Sequence, residues 1–143
     1  MTDTPKDSSP PATQRLLKLA GMTARIGGDM ARGRIEVGGK LDASAPAQGD
    51  GGFIETSASE VNTAAGLVVN AGAAQGKGGL WLVDPYDYTI GATAAGNINT
   101  ALNSGTSVTI TTQSNNASYG ATASGSGDIT VSNAITKSSG GDA

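Results

Sequence analysis

One six-residue turn occurs twice, and its recurrence constrains this chain more than any other feature. Ala47-Gln48-Gly49-Asp50-Gly51-Gly52 returns twenty-seven residues later as Ala74-Gln75-Gly76-Lys77-Gly78-Gly79. Each copy delivers the chain into a short β-prone run, Phe53-Ile54-Glu55-Thr56 after the first and Leu80-Trp81-Leu82-Val83 after the second. Weaker echoes surround the pair. Gly33-Arg34-Ile35-Glu36-Val37 is repeated nineteen residues on as Gly52-Phe53-Ile54-Glu55-Thr56, and Ser107-Val108-Thr109-Ile110 twenty-one residues on as Asp128-Ile129-Thr130-Val131. Self-similarity of this kind, turns and strands recurring with variable spacers, is the mark of stacked architectures. The composition agrees, because Leu, Ile, Val and Phe supply only 24 of 143 residues, too little bulk for a wide globular core, while Gly alone supplies 22.

Strands of four or five residues between Gly-rich corners, returning every 19 to 28 residues, predict an all-β fold: a right-handed parallel β-helix (β-solenoid) of about four to five rungs. Alternation within each strand turns Ile35, Val37, Ile54, Val108, Ile110, Ile129 and Val131 inward. It turns Arg34, Glu36, Glu55, Thr109 and Thr130 to solvent. Leu41-Asp42-Ala43, Val68-Val69-Asn70 and Tyr88-Thr89-Ile90 form a second face of the rungs, and Asn62, Asn97, Asn103 and Asn115 suit bends. Residues 1–23 read as a disordered lead with a short helix over Gln14-Arg15-Leu16-Leu17-Lys18-Leu19-Ala20, residues 24–135 as the repeat domain, and residues 136–143 as a disordered tail.

With no Cys and no His, the chain has no disulfide framework, no thiol nucleophile, no Ser/His/Asp triad and no His-ligated metal. A net charge of -3 and only five aromatic residues argue against nucleic acid, which needs a basic face and stacking platforms. Seven of the nine basic residues lie between Lys6 and Lys40, whereas from Gly91 onward the charges are Asp128, Lys137 and Asp142. The last third therefore presents a neutral surface of Ser, Thr, Asn and Gly.

Gly51-Gly52-Phe53-Ile54-Glu55-Thr56-Ser57, followed by Gln75-Gly76-Lys77-Gly78-Gly79-Leu80-Trp81-Leu82-Val83-Asp84-Pro85 and Tyr88-Thr89-Ile90, resembles the repeat region of the filamentous haemagglutinin family of large exoproteins. Ala24-Arg25-Ile26-Gly27-Gly28-Asp29 and Gly127-Asp128-Ile129-Thr130-Val131-Ser132-Asn133 resemble flanking repeats, so the likeness spans roughly residues 24 to 135. The resemblance implies a right-handed β-helix rod, secreted or displayed on the bacterial cell surface by two-partner secretion and used in adhesion. It implies as partners a host-cell or surface receptor or glycan, and an outer-membrane transporter reached through a secretion domain. Such proteins begin with a signal peptide and an Asn-Pro-Asn-Gly-like motif. Neither is present, and Leu16-Leu17-Lys18-Leu19-Ala20 is too short for a signal core, so the chain reads as an internal or truncated piece of a longer precursor.

Candidate chemistry is thin. Asp84 and Asp87 flank Pro85-Tyr86 and could act as an acid/base pair, but Asp-Pro also ends strands and turns corners. Gly49-Asp50-Gly51-Gly52 and Gly125-Ser126-Gly127-Asp128 lack the nonapeptide spacing of calcium repeats. Lys77 lacks the spacing of a phosphate loop, and Trp81 among Leu and Val reads as core before sugar platform. The expectation is a structural and adhesive segment with no catalytic residues, no cofactor and no metal. The alternative is a carbohydrate-active β-helix enzyme, which would need clustered Asp with Lys or Arg. A sheet edge after Val131-Ile135, with no evident cap, predicts self-association.

Overall fold

Short β-branched runs between glycine corners do become strands. The computed structural model describes residues 23–27, 33–112, 125–141 and 143. In chain order its elements are β1 (Thr23–Gly27), β2 (Arg34–Val37), β3 (Lys40–Asp42), β4 (Phe53–Ser57), β5 (Glu60–Thr63), β6 (Val68–Asn70), β7 (Leu80–Asp84), β8 (Tyr88–Ile90), α1 (Ala92–Asn103), β9 (Ser107–Ile110) and β10 (Ile129–Val131). Every pairing is parallel. The largest sheet has the order β1-β4-β7-β9, and β2-β5, β3-β6 and β10-β8 are two-stranded.

The expected all-β right-handed parallel β-helix of four to five rungs is corrected by this topology. The four sheets are separate, none closes, and a twelve-residue helix joins them, so the protein is a small mixed α/β domain. Two physical causes lie in particular residues. First, Tyr88-Thr89-Ile90 does not extend the β3-β6 sheet as the expected second face required; β8 pairs with β10, Tyr88 facing Ile129 forty-one residues on. Second, residues 92–103 place Ala94, Ala95, Ile98, Ala101 and Leu102 along one helical face, and that period makes a helix inside the expected repeat domain, where only bends were expected. Asn97 and Asn103 therefore sit in α1 and Asn62 in β5 instead of at bends. Asn115 and the helix expected before Gly21 lie outside the described residues.

The echoes in the sequence divide on this topology. The twenty-seven-residue repeat sets a real register, since Phe53 faces Leu80 and Leu80 faces Ser107. The nineteen-residue echo does not stack, because β2 pairs with β5 while β4 lies between β1 and β7. The twenty-one-residue echo fails likewise: β9 joins β7, and β10 joins β8. Those segments resemble each other because each alternates apolar and polar residues, which any half-buried strand requires.

The core lies where inward rows from several strands meet. Ile54 and Trp81 are aligned in one row of the large sheet and Thr56 and Val83 in the next, all four fully buried. Ile35, Val37, Leu41 and Val69 complete the buried side as alternation predicts. Val108 and Ile110, on the edge strand β9, are only partly buried. Ile129 and Val131 depart from the expected inward stack altogether, at 45% and 60% exposed, because among the described residues no strand lies beyond β10.

α1 is terminated by local chemistry. Gly105 adopts positive φ after the Ser104 cap, its amide donates to the Leu102 carbonyl, and the Thr106 amide donates to the Ala101 carbonyl. This is the paired return bond of a Schellman terminus. The helix packs against β5, β6, β8 and β9, and its buried Asn97 Nδ2 donates to the Ala64 carbonyl at 3.0 Å. Just past it, the buried Thr106 hydroxyl accepts the Ala71 amide at 2.7 Å. The helix region thus satisfies main-chain groups along the β6 side that another strand would otherwise meet.

Buried Trp81 carries a polar N–H into this core, and buried Thr56 receives it. Trp81 Nε1 donates to Thr56 Oγ1 at 3.1 Å, and Thr56 Oγ1 donates to the Leu82 carbonyl at 3.3 Å. Thr56→Val keeps shape but leaves the indole donor unpaired, and an unsatisfied buried donor costs roughly 1–3 kcal/mol. Urea unfolding should show a lowered midpoint with unchanged slope. An unaltered midpoint would mean that this bond contributes nothing.

Candidate functional surface

Asp50, Asp84 and Asp87, weighed from sequence as candidate chemistry, each accept hydrogen bonds within the fold, and so does Asp42. Asp42 ends β3 and Asn70, its register partner, ends β6. Asp42 Oδ1 accepts the Ser44 amide at 3.1 Å and the Ser44 hydroxyl at 2.6 Å, and Asn70 Oδ1 accepts the Gly72 amide at 3.0 Å. Two stacked Asx turns result, each redirecting the chain after its strand. Lys40 Nζ lies 2.7 Å from Asp42 Oδ2. The Lys40 ammonium and the Ser44 donors hold the Asp42 carboxyl down at about 2, against an ordinary 3.8.

The repeated glycine turns lie one upon the other. Asp50 Oδ1 accepts the Lys77 main-chain amide at 2.8 Å, and the Gly51 amide donates to the Lys77 carbonyl at 2.9 Å. The stacking that sequence suggests for Asp50 and Lys77 is therefore made through the Lys77 backbone. This turn leads into β7 and not into a helix, so no helix N-terminus faces Lys77 as a phosphate loop would require.

Asp84 and Asp87 have separate duties. Asp84 is largely buried, and its Oδ1 accepts the Thr111 hydroxyl at 2.9 Å. Asp87 is exposed, and its Oδ1 gathers three successive amides, from Ser126 at 2.9 Å, Gly127 at 2.8 Å and Asp128 at 2.9 Å. That carboxylate clamps the segment that becomes β10. The two residues hold different parts of the chain, and Trp81, read from sequence as core before sugar platform, is wholly inside. Among the described residues no group of three or more His, Cys, Asp or Glu is placed to hold a metal ion.

Other polar side chains face outward along the strands. Arg34 and Glu60, register partners on β2 and β5, approach to 3.7 Å, and Asn62 Nδ2 donates to Glu60 Oε1 at 2.8 Å. Thr89 and Thr130 are register partners on β8 and β10, both exposed. A cleft of about 240 Å³ opens between β5 and the start of α1, with Asn62, Thr63, Thr89 and Thr93 among its walls. Tyr88 also borders it. Burial pushes the Tyr88 hydroxyl up; Thr63 is near enough to ease that rise, but among the described residues no group meets hydrogen-bonding geometry with the hydroxyl.

Sequence reasoning missed the asparagines of α1. Asn99 Oδ1 accepts the Thr136 amide at 2.7 Å, and Asn103 Oδ1 accepts those of Ser138 and Ser139 at 2.8 and 3.0 Å. The segment after Ile135, read from sequence as a tail, thereby runs along the helix. The signal was their i, i+4 spacing inside an Ala-rich run, legible only once that run is recognised as helical. Compared with known protein families, curated proteins and solved structures, the chain matches none.

Two outcomes follow from these carboxylates. Because the folded Asp42 carboxyl titrates below its unfolded value, its contribution is complete above about pH 4 and is lost as pH falls through about 2. Lys40 is 58% exposed, so solvent screening limits the effect to about 1 kcal/mol. Stability measured between pH 5 and 2 should fall less steeply in Asp42→Asn than in the parent. Asp87→Ala should release the β10 segment, seen as faster hydrogen exchange at residues 126–131, while Asp87→Asn, which keeps an acceptor oxygen, should restore part of the protection. Equal exchange in all three chains would deny the clamp.

Proposed function

We propose that this chain is a non-catalytic structural and adhesive segment of a longer bacterial exoprotein of the filamentous haemagglutinin kind, secreted or displayed at the cell surface. The repeat block that carries that resemblance, Phe53–Ser57 with Leu80–Asp84, forms the centre of the largest sheet. One contrast carries the reading. Asp42, Asp50, Asp84 and Asp87 accept hydrogen bonds within the fold, whereas Thr89, Thr130, Asn62 and Thr93 offer hydroxyls and amides outward. Hydroxyl and amide side chains on neighbouring strands, spaced by about 4.8 Å, suit weak multivalent contact with the hydroxyl groups of a glycan or glycoprotein receptor. They supply no acid or base matched to bond cleavage. Two-partner secretion through an outer-membrane transporter would be a property of the whole precursor.

Beads coated with the full chain should attach to cultured epithelial cells, and Thr89→Glu combined with Thr130→Glu should reduce attachment without altering the circular dichroism spectrum. Incubation with plant and bacterial polysaccharides should release no reducing ends. Beads that do not attach would remove the adhesive role. Sugar release by the parent that disappears in Asp84→Asn would replace the reading with an enzyme.

A further inference from the structure

β10 is an exposed strand that the molecule holds firmly in place. On its N-terminal side the Asp87 carboxylate takes three amides, and on its C-terminal side Asn99 and Asn103 take three more. What these clamps present is apolar. Of the large hydrophobic side chains exposed among the described residues, Val68, Ile129, Val131 and Ile135, three belong to this short stretch. Edge strands are ordinarily guarded by lysine, proline, a bulge or a covering element. Between Gly125 and Thr136 the sequence has no lysine or proline, and its one charge is Asp128.

The main-chain pattern of the edge is equally specific. The Tyr88 amide donates to the Asp128 carbonyl and the Ser132 amide to the Ile90 carbonyl. In a parallel ladder alternate residues bond the neighbouring strand, so Asp128, Thr130 and Ser132 turn toward β8. Among the described residues no group meets the N–H and C=O groups of Ile129 and Val131 on the side away from β8. Ile129 and Val131 also project on one face, aligned with buried Tyr88 and Ile90.

The geometry points to β10 as an assembly edge, through which two copies of this chain join by antiparallel pairing about Thr130. That two-fold places Ile129 of each copy opposite Val131 of the other, so the two residues with free main-chain groups meet as hydrogen-bonded pairs. The same pairing sets apolar side chains together on one face, and Asp128 of each copy comes opposite the uncharged Ser132 of the second. The patch is complementary to itself, which commits the occupant to a second copy of the chain. A three-residue strand pair with its flanks buries less than the roughly 1,200 Å² typical of stable interfaces, so the dimer is weak, with a Kd on the order of 10–100 μM. This inference rests on β10 alone and does not depend on the adhesive reading.

Sedimentation velocity of the full chain from about 1 to 300 μM should show a reversible monomer–dimer equilibrium in that range. Ile129→Lys with Val131→Lys, both at exposed positions, should weaken it by about tenfold or more with an unchanged circular dichroism spectrum. Hydrogen exchange should slow at the amides of Ile129 and Val131 as concentration rises, a readout that needs no substitution. A monomer throughout, a dimer untouched by the double substitution, or growth to polymers without a plateau would each overturn the proposal.

Discussion

The backbone contact between successive glycine turns is the constraint on which the rest of the structure depends. A Cβ at Gly79 would stand 2.0 Å from the Gly52 carbonyl oxygen, and one at Gly76 would stand 2.2 Å from that of Gly49. No other residue type allows that approach. Because the turns touch through main-chain atoms, the strands that follow them enter in fixed register, with Phe53 on Leu80 and Trp81 beside Ile54. The Asp50 carboxylate on the Lys77 amide and the Asx turns at Asp42 and Asn70 repeat the device at other corners.

Register fixed at the corners lets a core with few bulky side chains suffice. In the large sheet Trp81 is the largest fully buried side chain, and the buried Thr56 hydroxyl satisfies its only polar atom. Alanine does much of the remaining packing, as at Ala43, Ala71, Ala95 and Ala101. Small side chains gain little from burial individually, but close packing retains their dispersion contacts. α1 adds Ile98 and its alanines to this interior and covers the β6 side of the molecule.

The same economy bears on function. Asp42 and Asp50 hold turns, Asp87 holds the segment that becomes β10, and Asp84 accepts the Thr111 hydroxyl. What remains for a partner is the polar relief of the strands and the cleft beside α1, together with the edge at β10. All three are features of surface and shape, and the proposed attachment and assembly would draw on them.

Much of the strand pattern was legible in the sequence, because alternation of apolar and polar residues determines which side chain of a strand can be buried whatever that strand pairs with. Ile35, Val37 and Ile54 are buried where alternation places them, and the AQGxGG repeat gave the register of β4 on β7. The roles of Asp84 and Asp87 were half legible: Asp-Pro announces a corner, but the amides that Asp87 gathers come from residues 126–128, too distant in sequence for any local signal. The helix at 92–103 could have been read from its apolar spacing, yet its place against β6 could not. Sequence by itself determined the strands, the glycine corners and the scarcity of charge after Gly91, since these follow from composition and from steric and solvation preferences of single residues and their near neighbours. Only the tertiary structure decided that the sheets stay separate, that α1 packs against β6 and that Ile129 and Val131 remain outside, because each depends on which segments meet across long stretches of chain.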